Sequence, residues 1–122
     1  METIKVDLEK IAKEIEWNEA HADYLIISRE ALVIIEETSR AKPEDIRKLD
    51  NTIKSILNHR LNNYINLRNI PEKIIAVIHA KKRIDRMVYT IMLSRMKKNR
   101  IYISASCNQN LKAKLRKYKV KL

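Results

Sequence analysis

Not one of the 122 residues is glycine. Loops that cradle phosphate need backbone able to approach the ligand closely. The phosphate-binding turns of nucleotide-binding folds are therefore excluded. Tight β-hairpins also draw on glycine for positive φ, so a large β-protein is disfavoured as well. With two prolines and no phenylalanine, the expectation is an all-α chain. It would be an antiparallel bundle of three to four long helices over residues 1–100. A basic segment over 101–122 would follow, as a tail or as a reduced β-appendage of small strands.

Apolar spacing supports that reading. Ile4, Leu8, Ile11 and Ile15 recur every three to four residues and give one helix face. Tyr24, Leu25, Ile27, Leu32, Ile34 and Ile35 are dense enough for a central helix ending near the sequence EETSR. Pro43 suits a first helical turn, and Glu44 and Asp45 suit the positive end of its dipole. From there Ile46, Leu49, Ile53, Ile56, Arg60 or Leu61, Tyr64 and Leu67 or Arg68 are spaced by three and four, and Pro71 breaks the run. A last long helix places Ile74, Val77 or Ile78, Ile84, Met87 or Val88, Ile91 and Met92 on one side. RIYIS at 100–104 is β-branched and aromatic, and LKAKLRKYKVKL alternates apolar with basic residues, as short strands do.

Charge divides the chain. Residues 1–45 hold 6 basic and 12 acidic side chains, whereas residues 46–122 hold 20 basic and 3 acidic, within a net charge of +11. The acidic third suits a basic partner, and the remainder suits DNA, RNA or an acidic protein. The cations Lys81, Lys82, Arg83, Arg86, Arg95, Lys97, Lys98 and Arg100, with Lys112, Lys114, Arg116 and Lys117 of the tail, are the candidate nucleic-acid contacts. A single cysteine, Cys107, allows no intramolecular disulfide. No apolar run reaches the roughly 18 residues of a membrane span. The charged, amphipathic start does not read as a secretory signal, and the expected location is the cytoplasm.

Catalytic constellations are not legible. His21, His59 and His79 lack metal-ligand spacing. His59 has no arginine upstream closer than Arg47, so the pattern of HEPN-type ribonucleases is not met. Ser104, Ser106 and Cys107 have no base near in sequence. Acids are scarce after residue 50, which disfavours paired-carboxylate chemistry there. The chain is expected not to be an enzyme and to carry no cofactor or metal.

The stretch LDNTIKSILNHRLNNYINLR, residues 49–68, resembles the signature helix of the GINS family, small helical subunits of the archaeal and eukaryotic replicative helicase. Arg60, Leu61, Ile65 and Arg68 fall on the family's Arg-Leu pair and following turn, and NIPEKIIAVIHAKKRIDRMVYTI is similar in order and spacing to its next helix. The resemblance covers about residues 45–95. It departs from the family in lacking phenylalanine and in having too short a tail for the usual β-domain. It implies a non-catalytic scaffold linking another GINS-type subunit, the MCM helicase and a RecJ-like protein, with Arg60, Leu61, Tyr64 and Arg68 at a partner interface. Two alternatives stand beside it: a small basic helical nucleic-acid-binding protein, viral, plasmid-borne or part of a ribonucleoprotein, and a homo-oligomeric structural protein.

Overall fold

Two apolar runs, 32–35 and 74–78, decide the architecture. In the computed structural model, which describes residues 3–61 and 71–120, both runs are strands. The order is β1 (Ile4–Asp7), α1 (Leu8–Ile15), β2 (Tyr24–Ile27), β3 (Leu32–Ala41), α2 (Pro43–Leu57), β4 (Ile74–Ile84), α3 (Arg86–Arg95), β5 (Arg100–Ala105) and α4 (Asn108–Arg116). The sheet runs β1-β2-β3-β4-β5. The first three strands form an antiparallel meander, and β3, β4 and β5 are parallel. The expected all-α bundle is not formed. The molecule is a mixed α/β layer structure.

The physical reason lies in the runs themselves. A segment as apolar as Leu-Val-Ile-Ile satisfies helical spacing and strand spacing at once, so periodicity alone does not arbitrate. β-Branching does, because Val and Ile lose χ1 freedom in a helix and pack well on a pleated surface. β3 is buried on both faces: Leu32 and Ile34 pack under α1, α2 and α3, while Val33 and Ile35 pack on the α4 side. β4 divides the same way, with Ile74, Ala76 and Ile78 on one face and Ile75 and Val77 on the other. Near-continuous hydrophobic runs of this kind belong to parallel strands covered on both sides.

The expected central helix is thus β2 and β3, reversed by a turn in which Ser28 N–H donates to Ala31 O at 3.1 Å. The expected last long helix is β4 followed by α3, broken at Asp85. The alternating tail is helical instead, as α4, with Leu111 and Leu115 buried against the sheet. Pro43 does start α2 as expected, but that helix ends at Leu57 rather than continuing toward residue 68. RIYIS does form a strand, β5, joined to β4 within the main sheet. Among the described residues no helix is long and apolar enough to cross a membrane.

Glycine's absence did not prevent reversals, because other residues take the left-handed backbone. Glu16, which caps α1, has φ 54° and ψ 44°, and its N–H reaches Ala12 O. His59 and Lys119 also have positive φ, at 60° and 62°. A β-carbon in that region costs about 1–2 kcal/mol. Glu16→Gly is therefore expected to raise the unfolding free energy by about 1 kcal/mol, measured by urea denaturation.

Candidate functional site

The antiparallel pairing of β2 with β3 sets Tyr24 opposite Ile35, which brings Asp23 beside Glu36. Main-chain bonds fix the junction: Asp23 N–H donates to Ile35 O at 3.0 Å, and the Asp23 carboxylate Oδ2 accepts Glu37 N–H at 2.8 Å. Leu8 N–H donates to Asp23 O at 3.0 Å, tying α1 to the same point. Two carboxylates 13 positions apart in sequence are thereby placed side by side.

Glu36 continues the buried face of Leu32 and Ile34 and projects beneath α2, with 2% of its surface exposed. Its Oε2 accepts a hydrogen bond from Lys48 Nζ at 3.0 Å. Its Oε1 is buried without a hydrogen-bond partner. Lys48 Nζ also lies 3.8 Å from Asp45 Oδ1, while Asp45 Oδ2 accepts Lys42 N–H at 2.9 Å at the start of the helix. Burial pushes the Glu36 carboxyl up to about 8, with the neighbouring Asp23 adding to the rise and the Lys48 hydrogen bond opposing it. The bond to Glu36 in turn raises Lys48 above the ordinary lysine value. A carboxyl with one oxygen orphaned, in contact with a second carboxylate, is costly for folding alone, since buried polar atoms are nearly always paired.

The segment leading into Asp23 is pinned to α2. Thr52, fully buried, accepts Ala22 N–H at 2.8 Å and donates to Lys48 O at 2.8 Å. Asn51 Nδ2 donates to Ala20 O at 3.0 Å. Below it Trp17 stacks on His21 with centroids 4.5 Å apart, and His21 Nε2 lies 3.2 Å from Glu9 Oε1. On the opposite face of the sheet, Glu37 Oε2 lies 3.9 Å from His79 Nδ1, and its charge raises the Tyr24 phenol.

The sequence-derived cations fall in three places. Lys81, Lys82 and Arg83 are exposed at the carboxyl end of β4, where Arg83 approaches Asp85 at 3.8 Å, and Arg86 opens α3. Arg95, Lys97 and Arg100 line a concavity of about 470 Å³ with Lys54 and Tyr102. There Arg95 pairs with Asp50 at 3.1 Å, and the Tyr102 hydroxyl donates to the same carboxylate. Lys98 lines the adjoining hollow with Lys97 and Arg100. Lys112, Lys114 and Arg116 lie on α4, with Lys117 at its end. Lys114 donates to Ser104 O at 2.5 Å. The twelve do not form one face. Of the residues assigned to a partner interface, Leu61 is fully buried, and Arg60 pairs with Glu19 at 3.2 Å over the Trp17 ring. Tyr64 and Arg68 lie outside the described residues.

Asp23, Glu36 and Lys48 are absent from the sequence-derived candidates. The available signal was a carboxylate at the start of one apolar run, DYLII, and another at the end of the next, LVIIEE, the two runs being separated by a short turn. Among the described residues no group of three or more His, Cys, Asp or Glu side chains converges as metal ligands. Asp23 and Glu36 supply a pair. Compared with protein-family models, curated proteins and solved structures, the chain matches none.

Proposed function

We propose that the chain is a divalent-cation-dependent phosphodiester hydrolase acting on nucleic acid, with Asp23, Glu36 and Lys48 as its catalytic residues. The carrying observation is the orphaned, buried Oε1 of Glu36 beside Asp23 and Lys48. Mg²⁺ is commonly held by one or two carboxylates, with waters and substrate phosphate oxygens completing the octahedron, so a carboxylate pair suffices for it. A bound cation would polarise the phosphoryl group and lower the pKa of an attacking water. In the reaction a bond forms from the water oxygen to phosphorus, and a bond from phosphorus to a sugar oxygen breaks. One water proton departs to solvent, and the sugar oxygen leaves as a hydroxyl after protonation. Lys48, its ammonium held 3.0 Å from Glu36, is placed to offset negative charge that grows on the phosphoryl oxygens. The net charge of +11 draws a polyanionic substrate to the protein.

A second reading has one observation in its favour. Met87, Tyr89, Leu93 and Met96 in and just after α3 are exposed, Leu93 at 71%, which suits a non-catalytic subunit docked on a partner, the role implied by the GINS resemblance. The discriminating measurement is cleavage of end-labelled single-stranded, duplex and branched DNA and of RNA, with Mg²⁺, Mn²⁺ or EDTA. Product is expected only with the divalent cation, and Asp23→Asn is expected to slow its formation roughly 100-fold or more. No product from any substrate would overturn the hydrolase and leave the subunit reading.

A further inference from the structure

A groove on the outer side of α2 has a composition that the proposed reaction centre does not use. It lies between residues 18–20 and the outer side of α2, with a volume of about 550 Å³. Along α2 its wall is formed by Arg47, Asn51, Lys54 and Asn58. These positions recur at i, i+4, i+7 and i+11, a single stripe of one helix. Among the described residues neither Arg47 nor Lys54 has an ion-pair partner. The opposite wall carries Asn18 and Glu19, whose carboxylate is already engaged by Arg60 at 3.2 Å.

The stripe is tied to the segment that leads into Asp23, although none of Asp23, Glu36 and Lys48 lines the groove itself. Lys48 follows Arg47, and Asn51, one turn on, is bonded to Ala20, three residues before Asp23. Thr52, buried behind the stripe, bridges Ala22 N–H to Lys48 O and holds the same segment against α2.

Resting on the hydrolase reading, we infer that this groove holds the sugar–phosphate backbone of the strand adjoining the scissile bond, with Arg47 and Lys54 on phosphates and Asn51 and Asn58 as hydrogen-bonding groups. From Arg47 to Asn58 the helix rises about 16 Å at 1.5 Å per residue. Arg47 and Lys54, the two cations of the stripe, are placed to meet two phosphates of one strand. An apolar partner is disfavoured by the amide and cation lining. An acidic peptide shares the charge logic but not the tie to the proposed phosphoryl-transfer centre, and it is an outcome of the test.

The test measures binding apart from cleavage. A fluorescein-labelled 12-nucleotide single strand is titrated with full-length protein in EDTA and read by anisotropy. The variants compared are Arg47→Glu/Lys54→Glu and, on the opposite face of the sheet, Lys112→Glu/Lys117→Glu, each checked for native circular dichroism and thermal midpoint. The groove predicts at least 10-fold weaker binding for the first pair and less than 3-fold for the second. It also predicts that Arg47→Ala/Lys54→Ala makes the slope of log affinity against log salt shallower by about 1.4, at about 0.7 for each single-strand phosphate that is no longer neutralised. Equal losses in both charge-reversed pairs, loss only in the α4 pair, or displacement of a polyglutamate peptide but no oligonucleotide binding would overturn it. Wild-type binding to the groove without cleavage in any cation would sink the hydrolase reading alone. Cleavage that survives Arg47→Glu/Lys54→Glu with unchanged affinity would sink the groove alone.

Discussion

Glu36→Gln is expected to lose cleavage almost completely while becoming more stable than the wild-type protein at alkaline pH. The two effects have one cause. In the folded chain burial raises the Glu36 carboxyl to about 8, against an ordinary value of 4.5. Between those values the unfolded chain has released this proton and the folded chain retains it. The folded state then binds more protons, and stability falls as pH rises. The glutamate is therefore easily accommodated below about pH 4.5. Its penalty grows through the interval and is complete above about pH 8, where the folded carboxyl must ionise.

Glutamine keeps the shape, carries no charge and can still accept from Lys48 through its carbonyl. In EDTA the variant is expected to match wild type within about 0.5 kcal/mol at pH 4.5 and to exceed it by about 2–4 kcal/mol at pH 8.5. The corresponding midpoint rise at the higher pH is about 5 °C or more. Cleavage should fall roughly 1000-fold, because an amide is a poor ligand for a hard cation. A carboxyl retained only for folding would give the opposite pattern. Its removal would destabilise the protein and leave any cleavage in place.

That opposition explains why the site is hidden from a linear reading. Local features survive translation into structure: Pro43 opens α2, Leu8 and Ile11 make the buried face of α1, and 101–104 lies in a strand. What fails is the distinction between buried helix and buried strand. β2, β3 and β4 all contain runs too apolar for spacing to separate period 2 from period 3.6. Once those segments are read as helices, Glu36 and Glu37 look like the polar end of one of them, and Asp23 looks like part of an interhelical bend. Their adjacency depends on the antiparallel register that sets residue 24 against 35. Lys48 joins them only because α2 folds back over β3. No short stretch of sequence brings all three together. Scarcity of acids after residue 50 directs attention away from the acidic third, where the proposed catalytic carboxylates, Asp23 and Glu36, sit.

Charge placement carries the same logic. Part of the basic surplus lies at the carboxyl end of β4, at the start of β5 and on α4. It raises the local concentration of a polyanion without dictating where that polyanion lies. On the proposed reading, register of the substrate depends on Lys48, which meets Glu36, and on Arg47 and Lys54 of the α2 groove.

Lys48→Met is expected to separate the lysine's proposed catalytic role from its structural one by pH. Methionine conserves the volume of the stem and removes the ammonium that faces Glu36 at 3.0 Å and Asp45 at 3.8 Å. Below about pH 6 the folded Glu36 is mostly protonated, so little charge is left without a counterion, and the loss of stability should be about 1 kcal/mol or less. As pH rises through 8 the carboxyl is driven to ionise with no cation beside it. The penalty should then approach the roughly 3–5 kcal/mol of a broken buried pair. Part of that cost is avoided if the Glu36 carboxyl stays protonated to still higher pH. Urea unfolding at pH 5.5 and 8.5, both in EDTA, reads the difference directly. A penalty equal at the two pH values would mean that Lys48 is an ordinary structural ion pair with an ionised Glu36, and the raised carboxyl would have to be abandoned. Cleavage, by contrast, should fall roughly 100-fold or more at both pH values, because charge that develops on the phosphoryl oxygens needs the ammonium whatever the protonation of the free enzyme.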